Sequence, residues 1–406
     1  MKVGIGYSNC QDSFTAGQHA AQNALEQAGF KEADLVIAFC SGNTDHQAFY
    51  HGLRKVVGQD INVYGGSAIG VITNKHLSYE GFPAAVALIK FQDNYCQMAV
   101  AEGLFNSPFA AGEQLAAALP LLPDASLLLL LYDSIKFSGS ENVAAVMNPS
   151  SPLIRGLELN LAAALPIVGA GLLGDYQFNH TQQFNGKTID QQSASALVFG
   201  GNLSPYIAVM HGCKPLSNRR YTVTGIFGQF LYTLDGKPVV EVIDQAFGCD
   251  SWRQSAPVNQ LCLGIPADNA GTLVDDNSFS NRLISGVMPN NEGLVLFEPD
   301  MHEGMQVQLM RRSPALSRAS ALTSTDSLLQ QIKQDGKQPL FALYMDCAGR
   351  VAQFDQSGQE DALIVQQLLT AAGVPLLGFY CGVEIAPQAG RSRGLDWSGV
   401  LVVLTR

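Results

Sequence analysis

Three short stretches of unbroken apolar residues punctuate this chain: Leu35–Phe39, Leu127–Tyr132 and Leu340–Met345. A run without polar alternation reads as a strand buried on both faces. Each run ends in polar residues, Cys40-Ser41, Asp133-Ser134 and Asp346-Cys347. A helix-compatible stretch follows each, then a second apolar run closing on glycine: Val63-Tyr64-Gly65, Ile167-Val168-Gly169 and Leu376-Leu377-Gly378. Ala84–Phe91, Ser195–Phe199 and Val400–Leu404 supply a closing strand for each set. Ordered internal similarity of this kind predicts a repeated supersecondary unit. The first two copies are contiguous, and an insertion of about residues 215–335 separates the third from them.

Helix signals fit between these strands. Asp12 or Ser13 caps a helix through Ala28, with Ala16, Ala20, Ala24 and Ala28 on one face and Gly29 at its end. Another helix is expected from His46 to about Val57. Within the insertion, Phe227–Leu234 runs into the hairpin turn Asp235-Gly236, and Val239–Phe247 reads as a helix ended by Gly248. Leu283–Met288, Gly293–Phe297 and Met305–Met310 are further strands, and Asp326–Lys333 is a helix capped by Ser324 or Thr325. The expected fold class is α/β, with layered mixed sheets covered by helices and built from related strand-helix-glycine-turn-strand units. Two sheets packed face to face are expected, and a domain division at 1–213 and 214–406.

Composition narrows the function classes. With 406 residues, 47% hydrophobic and 15% charged, the chain can bury substantial cores and is not largely disordered. A formal charge of −11 argues against a nucleic-acid partner and against docking on anionic lipid. The longest apolar run is too short to insert in a membrane, and the N-terminus turns polar by Ser8-Asn9, too early for a signal peptide. Eight cysteines without a CxxC pair fit small core residues in a reducing, cytoplasmic setting. Among the seven histidines there is no HExxH, so no metal and no cofactor is expected.

The densest polar chemistry lies between Pro339 and Pro387. Asp346-Cys347-Ala348-Gly349-Arg350 ends one strand, and Gly378-Phe379-Tyr380-Cys381-Gly382-Val383-Glu384 opens from the other. Two such strand ends are expected to converge on one small-molecule pocket. In it Arg350 would take a carboxylate through its planar fork and Glu384 an ammonium group. The alternative is that these two side chains pair with each other. Cys347 beside Arg350 is a candidate nucleophile, but a base for it could only come from His180, His211 or His302 through folding. A small half-buried thiol is the plainer reading. Asp346, Tyr380, Ser41, Ser67, Asp133 and Ser134 are further candidates at strand ends, although capping accounts for the serines and aspartates equally well. Gly65 and Gly378 are candidates for close backbone approach. No nucleophile-base-orienter set assembles from any stretch, so no catalytic residue is assigned.

Over nearly its whole length the chain resembles the FIST family, named for F-box and intracellular signal transduction. The resemblance is carried by Leu234-Asp235-Gly236-Lys237-Pro238-Val239, Pro289 through Gly293, Glu303-Gly304-Met305, Cys347-Ala348-Gly349-Arg350 and Gly378 through Pro387. Phe39-Cys40-Ser41 and the Gly65–Gly70 turn carry it in the N-terminal half. Leu395-Asp396-Trp397-Ser398-Gly399 departs from the family's polar Asn/Thr segment, so no ligand contact is carried onto it. The resemblance implies a cytoplasmic sensory module for a small-molecule ligand, an amino acid being the usual suggestion, with output through a separate signalling protein. The alternative is a hydrolase of a small amide or cyclic amide using Cys347, Ser41 or Ser67. A pure interaction scaffold is a third reading.

Overall fold

The computed structural model describes residues 1–120, 122–139, 143, 145–267, 276, 278–352, 360–388 and 390–406. The fold is α/β, with three related units and one insertion. The first unit comprises β1 (Lys2–Ser8), α1 (Ser13–Ala28), β2 (Leu35–Ser41), α2 (His46–Val57), β3 (Asn62–Ala68), the short hairpin β4 (Val71–Thr73) and β5 (Leu77–Ser78), and β6 (Ala84–Lys90). The second repeats this with β7 (Asn94–Ala101), α3 (Pro108–Ala118) and β8 (Ala125–Asp133). A small pair, β9 (Ile135–Phe137) and β10 (Val146–Met147), precedes α4 (Ser150–Asn160) and β11 (Ile167–Leu172). The hairpin β12 (Gln183–Gly186) and β13 (Thr188–Asp190) follows, and β14 (Ala194–Gly201) closes the unit.

The third unit begins at β15 (Ser204–Met210). An insertion intervenes, comprising the strands β16 (Lys214–Phe227) through β23 (Gln306–Arg311) and the helix α5 (Val239–Phe247). The unit resumes with α6 (Pro314–Gln334), β24 (Pro339–Cys347), α7 (Asp361–Ala371), β25 (Leu376–Cys381), the hairpin β26 (Val383–Gln388) and β27 (Arg391–Leu395), and β28 (Gly399–Thr405). The helix expected at Asp326–Lys333 is thus the last part of α6, which starts at Pro314 with Ser313 as its cap. Its buried face, Ser317, Ala321, Thr325, Leu328 and Ile332, recurs every three or four residues. That stripe keeps a Ser- and Thr-rich stretch helical.

Each unit lays down the same strand order: β1-β6-β2-β3, β7-β14-β8-β11 and β15-β28-β24-β25. Each unit's hairpin then leaves home and extends another unit's sheet. β12-β13 continues past β3, β26-β27 past β11, and β4-β5 past β25. The exchange closes a cycle of three six-stranded sheets, correcting the expectation of two sheets packed together.

The period-2 alternation within the buried strands explains the arrangement. Leu35, Ile37 and Phe39 join Leu127, Leu129 and Leu131 with Phe341, Leu343 and Met345 in one core shared by all three sheets. The alternate positions, Val36, Ala38 and Cys40 in the first unit, meet its helices instead. The insertion holds a separate core around Val223, Leu234, Ile243, Trp252 and Leu309.

Register also corrects the alignment of the strand ends. Gly65, Gly169 and Gly378 lie opposite Ala38, Leu130 and Tyr344, so these positions are equivalent. Two residues further on stand Cys40, Tyr132 and Asp346. The second unit's counterpart of Cys40-Ser41 is therefore Tyr132-Asp133, one residue earlier than Asp133-Ser134.

Candidate functional site

The ends of β24 and β25 meet at a cavity of about 270 Å³. Cys347, Ala348 and Gly349 line it from one strand end, and Cys381 and Gly382 from the other. Leu173, Tyr176 and Phe178, just past β11, form a second wall, and Leu283, Ser285 and Phe297 of the insertion a third. The cavity lies where two units and the insertion meet, and most of its lining is apolar. The Tyr176 hydroxyl donates to the Ala348 carbonyl at 2.8 Å, tying one wall to another. A surface cleft of about 450 Å³ shares Phe178, Ser285 and Phe297 with it.

Arg350 does not face this space, which corrects the expectation that it takes a ligand carboxylate. The residue is 1% exposed. Nη1 donates to the carbonyls of Met210 at 2.7 Å and Trp397 at 3.0 Å, and Nη2 to Asp361 at 2.5 Å. Nε lies 2.9 Å from Asp346 as an ion pair, at an angle too poor for a hydrogen bond. Burial works against the Arg350 charge, but Asp361 and Asp346 together hold it on. Burial likewise pushes the Asp346 carboxyl well up, against the pull of Arg350. The guanidinium that would bind a ligand is spent inside the third unit.

Glu384 is also buried, and it is not the partner of Arg350. Its Oε1 accepts from the Cys381 thiol at 3.4 Å and its Oε2 from the Ser398 N–H at 3.2 Å. Burial, with Asp396 and Asp346 nearby, pushes its carboxyl well above the ordinary range. The two groups expected to grip an amino acid from opposite sides are therefore both enclosed, Arg350 neutralised by aspartates and Glu384 close to Asp396.

Cys347 lines the cavity, but burial pushes its thiol well up, so it is a thiol and not a thiolate. His211 is engaged with Asp276 and the Cys213 N–H, and His302 with its neighbour's carbonyl. The Tyr380 hydroxyl donates to Glu360. Asp133 is saturated by the N–H groups of Ile135 and Gln192, the Gln192 amide and the Thr181 hydroxyl. Ser134 donates to the Leu172 carbonyl, and Ser41 lies 3.4 Å from the Thr44 hydroxyl.

Ser67 has a partner that sequence reasoning missed. Its hydroxyl sits 2.8 Å from His46 Nε2, whose Nδ1 donates to the Thr44 carbonyl at 2.9 Å. This resembles a nucleophile and base, yet the same hydroxyl accepts the Gln182 N–H at 2.9 Å. Burial drives His46 down to about 4, and none of the described cavities includes the pair. The pair fastens the second unit's hairpin to the first sheet. Gly65 is likewise structural: it has φ +137°, and a Cβ would stand 1.9 Å from the Ala38 carbonyl oxygen. At Gly378 a Cβ would approach the Tyr344 carbonyl to 2.9 Å.

Three buried residues near the cavity were not legible beforehand: Tyr132, Glu298 and Asp396. Glu298 Oε1 caps α4 by accepting from the Ser150 N–H and hydroxyl, both at 2.8 Å. Asp396 Oδ2 accepts from the Leu283 N–H at 2.9 Å. Burial pushes Glu298 up to about 8 and Asp396 to about 7. Their partners lie more than a hundred residues away in sequence, so no local spacing announced them. Among the described residues no group of His, Cys, Asp or Glu has the geometry to hold a metal ion. Also among them, no helix is long and apolar enough to cross a membrane.

Uncharacterized protein MT0656 of Mycobacterium tuberculosis (strain CDC 1551 / Oshkosh) is 23% identical over 397 residues, covering 97% of this chain and 96% of its own. Uncharacterized protein Mb0898c of Mycobacterium bovis (strain ATCC BAA-935 / AF2122/97) is 23% identical over 400 residues, with the same coverage. Among solved structures, a chorismatase covers 100% of both chains at 8% identity, with a TM-score of 0.34. The FIST N domain model matches residues 34–237 and the FIST C domain model residues 240–387. Together these matches span most of the sequence, and the chain belongs to the FIST family.

Proposed function

We propose that this protein is a sensor that binds a small metabolite in the 270 Å³ cavity and passes the signal to a separate partner. FIST domains are associated with signal-transduction sensing. The observation that carries the reading is the cavity itself, enclosed by the ends of β24 and β25, the segment after β11 and the insertion. A ligand there touches three parts of the chain at once, so its binding energy can bias their relative position. The volume lies just below the roughly 300–1,000 Å³ of drug-sized sites, which suits a single ring or a short branched chain. An amino acid would have to be held without Arg350, whose guanidinium is turned to the Met210 and Trp397 carbonyls and to Asp346 and Asp361. The cytoplasm is the setting proposed for it.

A thermal-shift screen of metabolites tests this. A ligand at a hundred times its Kd stabilises by about 2.7 kcal/mol. Ser285→Trp, at a partly exposed wall of the cavity, should abolish the shift. Stabilisation undiminished by that substitution would place the ligand elsewhere and refute the reading.

A further inference from the structure

Four arginines are buried among the described residues: Arg54, Arg282, Arg312 and Arg350. Three of them are compensated. Arg54 donates to the carbonyls of Gly58, Gln59, Ile61 and Gly186. Arg282 pairs with Asp300, and Arg350 with Asp346 and Asp361. Arg312 is the exception. It is 4% exposed, and among the described residues no carboxylate lies within ion-pair distance of it. Its one acceptor there is the Asn259 carbonyl, 3.2 Å from Nη1. The guanidinium carbon lies 3.9 Å from the centre of the Trp397 ring, a stacking that fixes the plane of the group. A guanidinium has five N–H donors, so most of these are unused. A charge enclosed to this degree calls for a counter-charge.

Arg312 lines an open cleft of about 490 Å³ between the insertion and the start of α6. Arg311, Ser313 and Pro314 line it on the same side, where β23 runs into α6. Asn259 and Gln260, just before β19 (Leu261–Pro266), and Phe247 at the end of α5 form the facing wall. None of these lining residues is an Asp or Glu, in a chain whose formal charge is −11. The 21-residue helix α6 begins at the cleft, so its first-turn N–H groups add the positive end of the helix dipole. The Ser313 hydroxyl accepts the Leu316 N–H at 3.3 Å, which leaves its own O–H to donate. Lys214 stands opposite Arg311 across β16 and β23, and like charges facing each other in this way are destabilising unless an anion joins them. Burial pulls the Arg312 guanidinium below its ordinary value, with Cys213 and Asp361 offsetting this only in part. Asp361 is itself bound to Arg350.

We propose that this cleft binds a phosphate monoester, its phosphoryl oxygens on Arg311, Arg312, Ser313 and the N-terminus of α6, and its organic part against Phe247. The planar fork of a guanidinium matches two phosphoryl oxygens at once, and a helix N-terminus favours the same charge. A phosphate monoester is close to a dianion at neutral pH, so one group answers several positive ones. The cleft falls within the roughly 300–1,000 Å³ of small-molecule sites, which leaves room for an organic part beyond the phosphate. It shares no lining residue with the 270 Å³ cavity, so the proposal stands independently of that site.

Isothermal titration at constant ionic strength with inorganic phosphate, phenyl phosphate, phenylacetate and benzyl alcohol tests this in wild type, Arg311→Gln, Arg312→Lys and Ser285→Trp. The expected order is phenyl phosphate tightest, inorganic phosphate next and phenylacetate at least about tenfold weaker than phenyl phosphate, with no binding of the alcohol. Arg312→Lys keeps the charge and loses the fork, and Arg311→Gln removes a charge; each should weaken phenyl phosphate by about tenfold or more. Arg311 is exposed, so its variant should fold normally and keeps the test readable even where Arg312→Lys does not fold. Ser285→Trp, at the other cavity, should leave phosphate binding unchanged. No binding of phosphate or phenyl phosphate at about 10 mM, where a millimolar site would be mostly filled, overturns the site. Affinity unchanged in Arg311→Gln and Arg312→Lys, or lost in Ser285→Trp, puts the anion elsewhere and overturns it too. Phenylacetate bound as tightly as phenyl phosphate overturns the choice of phosphate.

Discussion

Replacing Arg350 should cost stability and leave ligand binding to the cavity residues. In the structure its guanidinium satisfies two main-chain carbonyls, at 2.7 and 3.0 Å, and lies against Asp361 and Asp346 at 2.5 and 2.9 Å. Arg350→Met removes all four contacts and keeps most of the volume. Two carboxyls and two carbonyls are then left in a dry interior, and breaking a buried pair from one side costs about 3–5 kcal/mol. Asp361→Asn alone should cost less, because Asp346 still faces the charge. Adding Asp361→Asn to Arg350→Met should restore about 1–2 kcal/mol, since one stranded carboxylate is gone. Urea unfolding followed by tryptophan fluorescence suits the test, as the Trp397 carbonyl is itself one of the acceptors. A loss under about 1 kcal/mol, or strict additivity of the two substitutions, would show that the guanidinium is not the buried hub described.

Gly65→Ala should cost at least about 3 kcal/mol, because its φ of +137° is strained and its Cβ meets the Ala38 carbonyl at 1.9 Å. Gly373→Ala, at φ +69° in open space, should lose only about 1–2 kcal/mol; equal urea midpoints for the two would refute the packing argument. Stability should also depend on pH through Glu298 and Asp396, whose folded values of about 8 and about 7 lie above those of the unfolded chain. The native state then holds the extra protons, so stability is greatest below the ordinary carboxyl range. It falls as pH rises towards 8, by at most about 1.4 kcal/mol per unit for each group. Glu298→Gln and Asp396→Asn should flatten that slope, and urea midpoints that rise with pH over this window, whatever the residue, would contradict it.

The sequence by itself determined the buried central strands, several helices and the family resemblance. Apolar runs as short as Leu35–Phe39, bounded by polar and turn residues, read as strands buried on both faces, and caps such as Asp12 and Gly29 act within a few residues of themselves. Local signals of that kind survive without tertiary knowledge. Three sheets in place of two, and a repeat offset of one residue at Tyr132-Asp133, were settled by hairpins that pair with another unit's sheet. The fate of Arg350 was likewise tertiary. A guanidinium at a strand end reads the same whether it faces a ligand or Asp361, which α7 brings to it. Tyr132, Glu298 and Asp396 come from separate stretches of chain, and only folding buries them near one another.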